Sequence, residues 1–156
     1  MLHQLRHSSS LPITLSEAWD FFSNPANLTL LTPPELKMQI LTPVSRPMYA
    51  GQIITHQVRP LFNIPILWVT EITQVREPHY FVDEQRYGPY RMWHHQHFFR
   101  EVSGGVVAED LVDYMMPAGP LGSVIRQLLV SRQLEKIFEY RAQALRQRFG
   151  SLDPGP

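Results

Sequence analysis

The residues most able to do chemistry lie between Gly88 and Phe99, where three of the seven histidines sit in a run of aromatic side chains. The Gly88-Pro89 pair before them marks a turn between two strands. As a strand, the run places Arg91, Trp93, His95, His97 and Phe99 on one face and Met92, His94, Gln96 and Phe98 on the other. Two imidazoles between aromatic rings suit a cavity wall better than a packed interior. Imidazole can hold or pass a proton near neutral pH, bind a metal, or orient a carbonyl or hydroxyl.

Hairpin arithmetic supplies partners for these histidines. If Ser103-Gly104 is a two-residue turn, Val102 pairs with Gly105, His97 faces Asp110, His95 faces Val112 and Trp93 faces Tyr114. His97 and Asp110 are then cross-strand neighbours, with Cβ atoms about 5 Å apart. A three-residue turn would destroy that pairing. On the other side, a three-residue corner at Gly88-Pro89-Tyr90 sets Asp83 opposite His95 and Gln85 opposite Trp93, whereas a two-residue corner does not. A carboxylate beside an imidazole fixes its tautomer and raises its pKa, as general acid–base catalysis requires.

The candidate catalytic residues are therefore His97, Asp110, His95 and Asp83. The plainer reading of the same group is a satisfied buried polar network. His95, His97 and Asp110 also form a two-histidine, one-carboxylate set of metal-ligand type. Strand histidines near carboxylates commonly occur without a metal, so neither a metal nor a cofactor is expected.

The surrounding chain reads as one domain, residues 1–150, followed by a short disordered tail, 151–156. Its 156 residues can bury roughly two-thirds of the unfolded surface. Fourteen acidic residues balance fourteen Lys and Arg, which removes the electrostatic case for nucleic acid or an anionic membrane surface. Arg126, Arg132, Lys136, Arg141, Arg146 and Arg148 read as the solvated face of a helix, although Arg141, one turn after Ile137, is placed to reach the polar network. Without cysteine there is no disulfide framework. No signal-type h-region or membrane-length apolar run is present, so the expected location is cytoplasmic.

Leu2–Leu11 reads as a strand. Thr14 and Glu17 form a capping-box pattern ahead of a short amphipathic helix through Phe22, and Asn24-Pro25 opens a second helical turn stopped by Thr32-Pro33-Pro34. Strands follow around Met38–Thr42, at Ile53–Arg59, at Ile66–Thr73, at Tyr80–Tyr87, through the histidine run, and at Val106–Tyr114. Phe62-Asn63 is a plausible hairpin tip. His56 and His79 read as surface residues. Residues 121–149 lack Pro and Gly and form a long helix ended by Gly150. Its apolar stripe drifts: Leu121, Ile125, Leu128 and Leu129 share one side, Leu134, Ile137, Phe138, Leu145 and Phe149 another.

This order, together with Leu15-x-x-Ala18-Trp19-x-Phe21-Phe22-x-Asn24-Pro25, Pro78-x-x-Phe81-Val82-Asp83-Glu84-Gln85, Trp93-x-His95-x-His97-x-Phe99 and Gly104-Gly105, resembles the START-like (SRPBCC) superfamily. That group includes polyketide cyclases, lipid-transfer domains, coenzyme Q-binding proteins and the birch-pollen allergen class. Relatives commonly carry Thr after the Gly-Gly turn, where Val106 stands here. The resemblance implies an α+β helix-grip fold: a seven-stranded curved antiparallel sheet wrapped around the long C-terminal helix, with two short helices after the first strand.

It also implies an apolar cavity between sheet and helix, which eight Phe, six Tyr, three Trp and six Met would suit. Expected ligand-binding residues are Trp68, Gln85, Trp93, His95, His97 and Tyr114 from the sheet, with Leu121, Ile125 and Leu128 from the helix. The function implied is binding or carriage of a small hydrophobic ligand (lipid, quinone or polyketide-like) by a monomer or homodimer. The alternative is a cyclase or dehydratase moving a proton through a His–Asp pair.

Overall fold

A computed structural model describes residues 1–43, 47–59, 63–116 and 123–152, with side chains described outside 123–129. The element order is β1 (Leu2–Leu11), α1 (Leu15–Phe22), two 3-10 segments (Pro25–Leu31 and Pro34–Leu36), β2 (Gln39–Ile40), β3 (Ile53–Val58), β4 (Ile66–Arg76), β5 (Tyr80–Tyr87), β6 (Met92–Val102), β7 (Gly105–Met115) and α2 (Ser123–Phe149). The seven strands form one antiparallel sheet in the order β1-β7-β6-β5-β4-β3-β2. The second short helix is 3-10 rather than α, and β4 runs three residues beyond Thr73. Of the expected tip between β3 and β4, Phe62 lies outside the described residues, and Asn63 adopts the left-handed φ of 58°.

The local starts are those the side chains dictate. Thr14 Oγ1 accepts from the Glu17 N–H at 3.2 Å and Glu17 Oε2 accepts from the Thr14 N–H at 2.8 Å, so two orphan donors of α1 are satisfied together. Val102 pairs with Gly105 across the two-residue Ser103-Gly104 turn, with Gly104 at φ 84°. Gly105 then runs so close to the end of β1 that a Cβ there would stand 2.0 Å from the Leu11 carbonyl oxygen. Only glycine lets these two backbones meet.

Alternation along β6 and β7 sorts the faces. Trp93, His95, His97 and Phe99 are buried on β6, and Val106, Ala108, Asp110, Val112 and Tyr114 on β7. From α2, Leu134, Phe138, Arg141, Ala142 and Leu145 are buried against this face, a helical stripe that contains one cation. The exposed residues Arg132, Lys136, Arg146 and Arg148 do form the solvated face; Arg141 departs from them, and the Arg126 side chain lies outside the described residues.

Apolar packing divides into two groups. One gathers Trp19, Phe22, Phe81 and Phe99 with Leu145 around the α1 end. The other gathers Trp93, Val112 and Tyr114 with Leu134 and Phe138. The end of α2 is fixed by Gly150 at φ 89° and by the Leu152 N–H, which donates to the Ser10 carbonyl at 3.1 Å. That bond ties down the first residues of what reads in sequence as a disordered tail; residues 153–156 lie outside the described residues. Among the described residues no helix is long and apolar enough to cross a membrane.

Candidate ligand pocket and its polar box

The registers on both sides of β6 bring the four candidate residues into one box. Asp83 of β5 lies opposite His95, and Asp110 of β7 lies opposite His97. The hydrogen bonds, however, run on the diagonals. His97 Nε2 is 2.8 Å from Asp83 Oδ2, and His95 Nε2 is 2.9 Å from Asp110 Oδ1. The expected direct His97–Asp110 pair is therefore present as an ionic contact, Nδ1 to Oδ1 3.0 Å, whose alignment is too poor for a hydrogen bond. His95 Nδ1 stands 3.5 Å from Asp83 Oδ2. The two imidazoles lie 3.8 Å apart, centroid to centroid, so each ring can lean toward the carboxylate of its neighbour.

Arg141 completes the box from the helix side, with Nη2 3.1 Å from Asp110 Oδ1. Aromatic rings surround the charges. Phe81 stacks on His97 at 4.1 Å, Phe138 lies 5.9 Å from His95, and the guanidinium carbon sits 5.4 Å from the Phe22 ring centroid. This is the low-dielectric setting in which an unpaired charge would be costly and a complete network rigidifies.

Burial opposes the charge on Asp110, but Arg141 and both histidines outweigh it and hold the carboxyl well below the usual carboxylate range. Burial likewise opposes Asp83, and His95 and His97 reverse the outcome, lowering it. Burial would strip the proton from His97, yet its two carboxylate neighbours win and raise its pKa. For His95, burial and the neighbouring His97 prevail, and its pKa falls. Within the box the proton is therefore held more firmly by His97 than by His95, and both carboxyls favour the charged form.

Beside the box, between sheet and α2, lies a pocket of about 370 Å³, within the size range of small-molecule sites. Its walls are mainly apolar, with Trp68, Trp93, Ile54, Leu134 and Phe138 among them. Trp68, Trp93, His95, His97 and Asp83 all line it. Asp110 sits behind His95 and His97 and does not.

Two expected ligand contacts fall elsewhere. Gln85 does not line the pocket and does not pair with Trp93, because the β5–β6 ladder ends at Glu84 and His94. Instead its side-chain amide donates to the Tyr90 carbonyl at 2.7 Å and accepts from the Tyr90 N–H at 3.2 Å, closing the corner. Tyr114 packs near Tyr90 and Trp93 and is outside the lining. Leu121 lies outside the described residues, as do the side chains of Ile125 and Leu128.

His56 corrects the surface assignment. It is 5% exposed, lines the pocket, and stacks on Trp68 with ring centroids 5.6 Å apart. Its Nδ1 has no hydrogen-bond partner among the described residues, and burial lowers its pKa to about 4. The signal was in the alternation: Ile54, His56 and Val58 share a strand face, and its two outer members are apolar. Arg141 carried a similar signal, falling on the stripe of Leu134, Phe138 and Leu145. His79 is exposed, as read.

A divalent ion would find its donors in Asp83, His95 and His97, whose ligand atoms lie within 4.8 Å of one another, rather than in the set containing Asp110. It would have to displace the proton that His97 shares with Asp83.

No protein-family model matches the chain, and no curated protein matches it by sequence. Solved structures do match across nearly its whole length. The Zhui aromatase/cyclase from Streptomyces sp. R1128 is 12% identical, with 95% of this chain and 93% of that one covered and a TM-score of 0.75. TTHA0849 from Thermus thermophilus is 14% identical, covers 94% and 96%, and gives 0.67. Ara h 8.0201 is 13% identical, covers 94% and 99%, and gives 0.61. The chain has the helix-grip fold that these structures share.

Proposed function

We propose that the protein binds and carries a small hydrophobic ligand, a lipid, quinone or polyketide-like molecule, in the pocket between sheet and helix. The observation that carries this reading is the pocket itself: about 370 Å³ with mainly aromatic and aliphatic walls and a minority of polar groups, the composition expected of a site that buries most of a small ligand. The reading places the protein in the cytoplasm, as a monomer or homodimer. Organic-solvent extraction of purified protein, followed by mass spectrometry, should release a stoichiometric apolar compound. A pocket-filling Ile54→Trp variant should lose it while staying folded. Retention of the compound by that variant, at full stoichiometry, places it elsewhere and ends the reading.

A second reading is a cyclase or dehydratase, favoured by one feature: a neutral imidazole, His95, at the pocket wall beside two carboxylates. Such a base could take a proton next to a ligand carbonyl while the box holds it. Deuterium exchange at the acidic carbon of a bound cyclic 1,3-diketone, followed by NMR, should then be accelerated and should slow in His95→Gln. Equal rates in both proteins leave the carrier reading alone.

A further inference from the structure

The pocket wall carries its charge unevenly. Among the five box members the side chains of His95, His97, Asp110 and Arg141 are 7–8% exposed, whereas Asp83 is 16% exposed. Asp83 lines the pocket and Asp110 does not. Arg141 is the one Lys or Arg lining the pocket among the described residues, and it is committed to Asp110 and enclosed by Phe22 and Phe138. The most accessible acid or base of the box is therefore a carboxylate, with Arg141 and both histidines less exposed. His56, on the same side of the sheet, adds a neutral imidazole and no positive charge at pH 7.

We propose that the pocket selects an uncharged ligand that presents a hydroxyl to Asp83, and discriminates against a carboxylate of the same size and shape. The proposal rests on the carrier reading and names its ligand class. A hydroxyl donates to the free lone pairs of the Asp83 carboxylate without disturbing the box. An anionic head instead meets a fixed like charge in an apolar enclosure, with no uncommitted Lys or Arg among the described residues to receive it. Like charges sharing such a site shift one another by a unit or more of pKa, so the matched anion should bind about tenfold or more weakly.

The test compares 2-naphthol with 2-naphthoate at neutral pH, where the first is uncharged and the second ionised, by calorimetry and by quenching of Trp68 and Trp93. Naphthol should bind tenfold or more tightly. Any apolar pocket disfavours an anion, so the deciding arm is Asp83→Asn, in which the preference should shrink by about tenfold. Equal binding of the two probes to the wild type, or a preference untouched by Asp83→Asn, overturns the inference and leaves carriage standing. Failure of both probes to bind saturably overturns carriage and the inference with it. If Asp83→Asn does not fold, Asp83→Ser supplies the same comparison. A wild-type preference that does not recur with 1-decanol against decanoate also overturns the inference.

Discussion

His97 hydrogen-bonds to Asp83 on one flanking strand although the residue directly opposite it on the other is Asp110. Strand register places the four sheet members of the box, but the tilt of the two imidazoles decides which pairs bond. The diagonal arrangement spreads the load: each carboxylate touches both histidines, so removing either carboxylate disturbs both rings.

The two carboxylates should not be equivalent to mutation. Asp110 compensates buried Arg141, so Asp110→Asn strands a guanidinium among Phe22 and Phe138 and should cost about 3–5 kcal/mol. Asp83→Asn, at the pocket wall, should cost distinctly less. The double variant Asp110→Asn/Arg141→Met should recover part of the loss. Urea denaturation of the set checks this, and strict additivity of the two single costs would contradict the pairing.

His56 should give stability a slope in mild acid. Its folded pKa is about 4 against an unfolded value near 6.5, so between these values the unfolded chain holds a proton that the folded one does not. Its contribution is intact above pH 6.5 and is lost as pH falls toward 4, approaching about 3 kcal/mol at the limit. The lowered His95 acts in the same direction, while Asp83 and Asp110 lose theirs only at lower pH. Melting temperatures from pH 7 to 4 should fall less steeply in His56→Gln than in the wild type. An unchanged slope would place the buried imidazole elsewhere.

His97 should act with the opposite sign. Its raised pKa means that its contribution is full below pH 6.5 and disappears as pH rises through the folded value. Stability on the alkaline side should therefore decline with pH, and His97→Gln should flatten the decline. NMR titration of the imidazole carbons would show directly whether His97 titrates above His95.

The Gly105 close approach predicts a steep cost. Gly105→Ala brings a methyl group within 2.0 Å of the Leu11 carbonyl oxygen, and neither atom belongs to a flexible side chain. The expected loss is about 3 kcal/mol or more, with separation of β1 from β7. Gly104→Ala, which meets a positive φ and the Leu152 methyl at contact distance, 3.4 Å, should cost about 1 kcal/mol.

Gln85→Ala should loosen the corner that carries Tyr90. Loss of both amide bonds should cost about 1–3 kcal/mol. Because Tyr90 packs 5.4 Å from Trp68 and 4.8 Å from Trp93, the tryptophan emission should change even where the fold survives.

Much of this is legible in the sequence. The Ser103-Gly104 turn set the β6–β7 register, since a two-residue connection leaves one pairing. Capping at Thr14 and the Pro-free run to Phe149 set the helices. The diagonal hydrogen bonds were not legible, because they depend on ring orientation rather than strand position. Gln85 escaped for a related reason: alternation put it on the inner face, but its amide turns along the strand to serve the corner. His56 is hidden by its residue type, although its spacing puts it on a buried face with Ile54 and Val58, whereas the position of Arg141, one turn after Ile137, already points it at the box.

The pairing of β1 with β7 joins Leu2 to Met115, while every other strand pairs with its neighbour in sequence. The meander from β2 to β7 can zip hairpin by hairpin, each step closing a modest loop. The opening strand must wait. Pairing across most of the chain is entropically slow, so folding should finish with β1 docking onto a sheet already assembled. Until then the edge of β7, next to the half of the box that holds Asp110, stands unpaired, and β1 is the strand that seals it.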